Sequence, residues 1–400
     1  MERSKKLYYW IGLNTKGEKE RGVIEAFSLA QAKTELHQLG IMSKKVHKRM
    51  WFLLVKKIRQ TDITIFLRQL TILIKAGISI IQSFDLVAKN QTKPLMKNLI
   101  ILIKKDIETG LSLYEALQKH PNYFNQLICS LVRVGEQSGR LEPMLDKIAS
   151  YKERNQSNIK KIKKALSYPL AVLCLVFLIS FALLTFVIPQ FQLLFASFDA
   201  ELPALTRLII NLSIFFKSYW LLSLGLLVGL IYGFFFTQKH SIWLRHFIDK
   251  KRLKLPILGR ISQNILIARF SYTLAITFSA GLSLVDALRI ITDVMTNNLY
   301  AKATELIRKD ISTGQPLRVA MQNTLLFPDR VIQLIAIGEE SGTLEIMLSK
   351  IADFYEEEVN NDLERLTSLF EPVIMALLGL VVGGLVIAMY LPIFKLGSIM

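Results

Sequence analysis

Three stretches of this 400-residue chain contain no Asp, Glu, Lys or Arg: Pro169 to Pro189, Ser218 to Phe236 and Pro372 to Phe394. A hydrocarbon core takes roughly 20 residues of helix, so each stretch is long enough to cross it. The same absence argues against an ion or proton pathway, which needs ionisable groups at membrane depth. Cysteine is equally scarce. Cys129 and Cys174 are the only two, and they lie in different environments. They suggest no disulfide framework, which fits a reducing compartment. The N-terminus is polar and basic with no early apolar run, so no secretory signal is read there and the first apolar stretch is expected to act as the insertion signal. Neither G-x-x-x-x-G-K-[ST] nor H-E-x-x-H occurs. His240 and His246 sit in a basic segment without an acidic neighbour, which reads as membrane-flanking residues and not as a metal pair. No cofactor or metal is expected.

What the chain has in excess is apolar surface and positive charge. Hydrophobic residues make up 52% and the mean hydropathy is +0.36, values that exclude an ordinary soluble protein. The net charge of +18 would point to nucleic acid if it were spread over the chain. It is not. Residues 1–168 hold 31 Lys and Arg against 14 Asp and Glu, whereas residues 237–371 hold 16 of each. The excess flanks the first apolar stretch, as cytoplasmic charge does under the positive-inside rule, and there is no aromatic series for base stacking.

The chain also contains one unit written twice. Residues 134–149 and 337–352 agree at eleven of sixteen positions, and both contain Gly-Glu-x-Ser-Gly. The register extends back to Ala76-Gly77 against Ala280-Gly281 and to Asp106–Gly110 against Asp310–Gly314, and forward to Pro169 against Pro372. Each copy runs straight into a charge-free stretch.

In order, residues 1–60 form a small α/β segment and linker. Leu7 to Leu13 and Val23 to Phe27 are expected to pair as a hairpin, and Ser28 caps a short helix stopped by Gly40. Residues 50–59 put aromatics beside a basic cluster and read as a linker or an interfacial segment. Residues 61–168 form a first helical bundle of about six helices, with Asp62, Ser79 and Ser112 as expected N-caps and Gly77 and Gly110 as breaks. Spans at 169–189 and 218–236 bracket an outside loop at 190–217. A second bundle at 237–371 leads to a third span at 372–394 and a short outside tail at 395–400. The expected class is therefore an all-α membrane protein with two homologous cytoplasmic six-helix bundles, three transmembrane helices and the N-terminal hairpin and helix. Both bundles and the N-terminus face the cytoplasm, and the C-terminus lies outside.

The candidate site is the twin motif itself: Gly135, Glu136, Ser138 and Gly139, with Gly338, Glu339, Ser341 and Gly342. The structural reading makes the glycines a tight interhelical turn and Ser138 and Ser341 caps of the following helix. The functional reading makes Glu136 and Glu339 paired docking groups for a partner or another subunit. Acid–base catalysis would need convergent groups with perturbed pKa values, and none is evident. Pro169 and Pro372 mark membrane entry, and Gly379 with Gly383 gives a G-x-x-x-G spacing suited to close helix packing. The run Glu356-Glu357-Glu358 reads as a solvated helix face.

Several ordered motifs resemble the inner-membrane platform proteins of type IV pilus assembly, a group that includes the F protein of type II secretion. They are Arg68-Gln69-Leu70 with Ala76-Gly77, Gly135 to Gly139, Ser167-Tyr168-Pro169, Val187 to Phe191, Leu202 to Thr206, Gly338 to Gly342, Ala352 to Glu358 and Gly383 to Lys395. The last of these looks more like the pilus branch. The resemblance implies a non-enzymatic scaffold of the bacterial inner membrane. Its implied partners are hexameric assembly and retraction ATPases, pilin subunits, other inner-membrane alignment proteins of the pilus, and further copies of itself, with no nucleic acid. One departure is that Ser-Tyr-Pro precedes the first span and Phe-Glu-Pro the third, so the two copies need not work identically.

Overall fold

A computed structural model describes residues 6–13, 17, 19–38, 40–48, 57–187 and 257–397, with isolated positions between 211 and 255. The expected loop at 190–217, the expected span at 218–236, the basic aromatic segment at 50–56 and the two histidines of the basic stretch fall, isolated positions aside, outside the described residues. The contacts divide the chain into two compact units. The first comprises residues 1–157, 270–296 and 301–349, and the second comprises 158–269, 297–300 and 350–400.

The first unit begins with β1 (Lys6–Leu13), β2 (Lys19–Ala26), α1 (Leu29–Gln38) and β3 (Met42–Lys48). The hairpin is present, and β3 joins its other side to give the antiparallel order β2-β1-β3. Alternation places Tyr8 and Trp10 on one face of β1, where they pack with Ala26, Ala32, Leu36 and Ile41. Ser28 Oγ accepts from Gln31 N at 3.2 Å and starts α1. The third strand was not expected. Its sequence, Met-Ser-Lys-Lys-Val-His-Lys, has the charged look of an edge strand and almost no apolar alternation.

Six helices follow: α2 (Gln60–Lys75), α3 (Ile80–Lys89), α4 (Pro94–Glu108), α5 (Leu113–Gln118), α6 (Gln126–Gln137) and α7 (Leu141–Ala182), the last ending in a π-helical turn at Leu183–Val187. Ser79 and Ser112 cap as expected, accepting from Gln82 N and Glu115 N. Asp62 does not. The helix starts earlier, and Asp62 sits in its first turn with Oδ2 accepting from Arg59 N at 2.7 Å and both oxygens held by Lys93. The side chain reaches back to the chain entering the helix, so its sequence offset is that of an N3 acid and not of a cap. Phe66 meets Phe84 and Phe124 edge to face at the centre, among Ile63, Leu67 and Ile100.

The second copy repeats the count with α8 (Leu258–Ser279), α9 (Leu284–Val294), α10 (Asn298–Ser312), α11 (Leu317–Asn323), α12 (Asp329–Ser341) and α13 (Leu344–Gly397). Within the first unit the copies share a core. Ile276 and Ile290 join the cluster around Phe66, Tyr151 stacks on Tyr272 at 6.0 Å, and Arg154 lies 4.5 Å from the centre of the Tyr272 ring. Cys129 is buried in this core, and burial pushes its thiol up to about 11, so it stays protonated and inert near neutral pH.

In the second unit, Ile261, Val359 and Leu363 pack with Ile162, Ala165 and Leu366. Several polar groups there are joined in a network. Asn264 Nδ2 donates to the buried Asp362 Oδ2 at 2.9 Å, and Arg260 reaches Glu358 at 2.9 Å and Asp362 at 3.4 Å. Glu358 is thus held by Arg260 and is not simply a solvated member of its acidic run. Two helical segments, Leu141–Val187 and Leu344–Gly384, are long and apolar enough to cross a membrane. Only 6% of each apolar window is buried, whereas a soluble core helix would be mostly buried. Most of the apolar side chains are exposed, with Val176 and Ile374 as buried exceptions. Pro169 and Pro372 lie inside α7 and α13, and both helices continue through them.

Candidate functional site: two carboxylates at helix junctions

The twin motifs occupy equivalent places, at the junctions of α6 with α7 and of α12 with α13. Gly135 and Gly338 are inside their helices and face the start of the next one. A Cβ on Gly135 would lie 3.0 Å from Met144 Cγ and 3.1 Å from Leu141 Cα, and one on Gly338 would lie 2.9 Å from Leu344 Cα. Absence of a side chain lets the two helices touch. Gly139 and Gly342 then turn the chain with φ of 67° and 69°, a left-handed conformation that costs other residues about 1 kcal/mol or more. In the first copy Arg140 N donates to Gly135 O at 2.8 Å, the closing bond of a Schellman turn.

The carboxylates point back into their own bundles. Glu136 accepts from the backbone N–H of Leu113 at 2.6 Å and of Tyr114 at 3.0 Å, the first two residues of α5. Glu339 accepts from Leu317 at 2.6 Å and Arg318 at 3.0 Å, the first two residues of α11. Those amides have no partner within their helix, and negative charge there also meets the positive end of the helix dipole. Each glutamate is a cap delivered from 21 to 23 residues away in sequence.

The serines do something other than expected. Ser138 Oγ donates back to Val134 O at 2.7 Å and Ser341 Oγ to Ile337 O at 2.6 Å. Both close the helix they end and cap no backbone N–H of the helix that follows, although Ser341 Oγ also lies 2.6 Å from Thr343 Oγ1. The left-handed glycine after each serine redirects the chain, and the hydroxyl is spent on the preceding turn. Gly379 and Gly383 have no heavy atom within 4 Å of where a Cβ would stand, so among the described residues no neighbour uses their small size.

A second polar cluster was not foreseen. Arg68 of α2 donates from Nε and Nη2 to both oxygens of Glu153, from Nη1 to Asp146 at 2.5 Å and from Nη2 to Ser150 at 3.0 Å. The signal lay in the sequence as a spacing, because residues 146, 150 and 153 share one face of a helix. Arg68 thereby ties α2 to α7, one of the two helices that run on into a charge-free stretch. Hydrogen bonds from Arg68 hold the Glu153 carboxyl below the usual carboxylate range. A depressed folded-state pKa stabilises above the unfolded carboxylate range and is lost as pH falls through the folded value. Wild type should therefore melt above Glu153→Gln at neutral pH, and the gap should close in acid. A gap unchanged across a pH series of melts would show that the ion pair is not its source.

Among the described residues, no group of three or more His, Cys, Asp or Glu side chains is placed to hold a metal ion. The arrangement instead fixes helix ends and helix directions.

Comparison with known proteins follows the same outline. The family model described as type II secretion system (T2SS), protein F, matches residues 66–189 and again 270–392, and that of the protein F N-terminal domain matches 6–47. The chain is 45% identical over 372 residues to the Pseudomonas aeruginosa protein named Type IV pilus assembly protein PilC, covering 92% of this chain and 99% of that one. It is 42% identical over 395 residues to the Aeromonas hydrophila Type IV pilus assembly protein TapC, covering 98% and 96%. Against the Vibrio cholerae Type II secretion system protein F the identity is 29% over 406 residues, covering 98% and 99%.

Proposed function

Because the chain belongs to the type II secretion system protein F family, we propose that it is the inner-membrane platform of a type IV pilus machine. The observation that carries this reading is the 45% identity along nearly the whole chain to a protein named for type IV pilus assembly. The lower identity to a named secretion protein, 29%, makes the platform of a secretion system the second reading.

In the proposed role the chain has no reaction of its own. Its two bundles lie on the cytoplasmic face, where the basic flank of the first apolar stretch favours them. There they engage the hexameric assembly and retraction ATPases. The apolar stretches lie in the inner membrane beside pilin subunits entering or leaving the fibre, with the alignment proteins and further copies of the chain around them. The helices α7 and α13 support this coupling physically. Each is a continuous helix from a bundle into an apolar run, which gives a displacement imposed on the bundle a covalent helical path into that run.

Deletion of the gene should abolish surface pili while the motor ATPase, purified alone, keeps its hydrolysis rate. The ATPase should copurify with the full chain and be lost when the contacting bundle is removed. Piliated deletion cells would overturn the proposal. Intact pili with blocked export of folded proteins would instead favour the secretion reading.

A further inference from the structure

Within the second unit, α7 and α13 border an open groove of about 930 Å³. Its lining is divided by chemistry. Lys161, Lys164 and Tyr168 come from α7, whereas Glu364, Thr367, Ser368 and Glu371 come from α13. No ion pair within 4 Å joins these lysines to these glutamates among the described residues, although oppositely charged groups border one cavity.

The α13 wall is mostly an acceptor wall, although the Asn360 amide on it can also donate. Thr367 and Ser368 give their hydroxyl protons to Leu363 O and Arg365 O of their own helix, which leaves only oxygen lone pairs for the groove. The two membrane-entry prolines extend this. Proline has no N–H, so Pro169 and Pro372 cannot donate to the carbonyls four residues earlier. Those carbonyls belong to Ala165 and Ser368, and both residues line the groove. The α7 wall presents two ammonium groups. Immediately beyond both walls the charge-free stretches begin.

We propose that this groove binds the headgroup of a phospholipid carrying a primary amine, a phosphoethanolamine, with its phosphate on Lys161 and Lys164 and its ammonium on Glu364, Glu371 and the Ser368 carbonyl oxygen on the same α13 wall. An anionic headgroup would satisfy the lysines and be repelled by the two glutamates. A choline headgroup would bring its positive charge without an N–H for the acceptors. The location selects a lipid over a free headgroup, because the acyl chains would continue along the apolar runs that start at Pro169 and Pro372. This inference does not depend on which motor or fibre the platform serves.

The test uses the full chain in detergent, offered equal amounts of phosphatidylethanolamine, phosphatidylcholine and phosphatidylglycerol, with the retained lipid quantified by mass spectrometry after gel filtration. Phosphatidylethanolamine should be enriched. Both Lys161→Glu/Lys164→Glu and Glu364→Gln/Glu371→Gln should lower its retention about tenfold, the loss of roughly one charge-assisted contact. If a variant fails to fold, the wild-type chain still decides the matter: retention should fall stepwise through the N-methyl and N,N-dimethyl headgroups to choline. Excess free phosphoethanolamine should not displace the lipid. Enrichment of phosphatidylglycerol that rises further in Glu364→Gln/Glu371→Gln would overturn the proposal. So would retention indifferent to N-methylation, or displacement by the free headgroup.

Discussion

Glu339→Lys should lower the amount of protein in the membrane and its melting temperature more than Glu136→Lys does, and both should lose pili in proportion to that fall. The wild-type carboxylates are already engaged, each with two backbone N–H groups at the start of a short helix. Removing the acceptor leaves those donors unsatisfied at about 1–3 kcal/mol for each one kept from water. A lysine adds repulsion from the helix N-terminus, about 0.3–1 kcal/mol at surface sites. The ranking comes from the local caps. In the first copy Ser112 and Glu115 form a reciprocal box at the same helix end, so α5 keeps one cap without Glu136. In the second copy the N-cap is Pro316, which offers no side-chain acceptor. Glu339 is then the side chain that holds the helix start. Immunoblots of membrane fractions with melts of the purified chain check this. Loss of pili at unchanged abundance and melting temperature would instead make the carboxylates docking groups. Glu339→Gln should fall between, because its single carbonyl oxygen can replace one of the two acceptors.

Much of this arrangement was legible in the sequence, and the reason is locality. The helix breaks and the caps at Ser28, Ser79 and Ser112 are set by residues within four positions of one another, the charge-free stretches are set by composition, and the repeat shows when the sequence is compared with itself. What was not legible depends on partners far along the chain. Nothing in Gly-Glu-x-Ser-Gly says that Glu136 reaches residues 113 and 114, since the distance between the two turns is fixed only once α5 and α6 pack. The Ser138 and Ser341 hydroxyls could have served either flanking helix, and the left-handed glycine after each of them decides it. Asp62 was misplaced by three residues because an N3 acid and an N-cap acid look alike before the helix start is known. The Arg68 clamp and the groove each join helices whose partner residues are about 80 to 200 positions apart. The spacing of residues 146, 150 and 153 marks one helix face, but nothing in one sequence pairs that face with Arg68 or one wall of the groove with the other.

Gly338→Ala should destabilise the chain more than Gly135→Ala, and Gly379→Ala and Gly383→Ala should not destabilise it at all. All four glycines are inside helices, where alanine alone would gain up to about 1 kcal/mol of helix propensity. The neighbours decide the sign. At Gly338 the new methyl would sit 2.9 Å from the Leu344 Cα, a backbone atom that moves only if the start of α13 moves. At Gly135 the nearest atom is Met144 Cγ at 3.0 Å, part of a flexible side chain, with the Leu141 Cα at 3.1 Å behind it. Overpacking of this kind costs about 1–3 kcal/mol, so the propensity gain is offset at Gly338 and more nearly balanced at Gly135. Valine at either position should fail outright, because its branches must also displace Met144 or Met347. The consequence reaches beyond stability. Leu344 opens the 54-residue helix that carries the last charge-free stretch, so a shift there falls at the start of that helix. Gly338→Ala should therefore lose pilus assembly before it loses abundance, a separation that paired melts and pilus counts would detect. Gly379 and Gly383 have open space around them, and alanine there should hold or raise the melting temperature while weakening any self-association that uses the small-residue face. Equal melting temperatures for Gly135→Ala and Gly338→Ala would mean that α13 yields as readily as a methionine side chain, and the helix start would then not be the fixed point assigned to it.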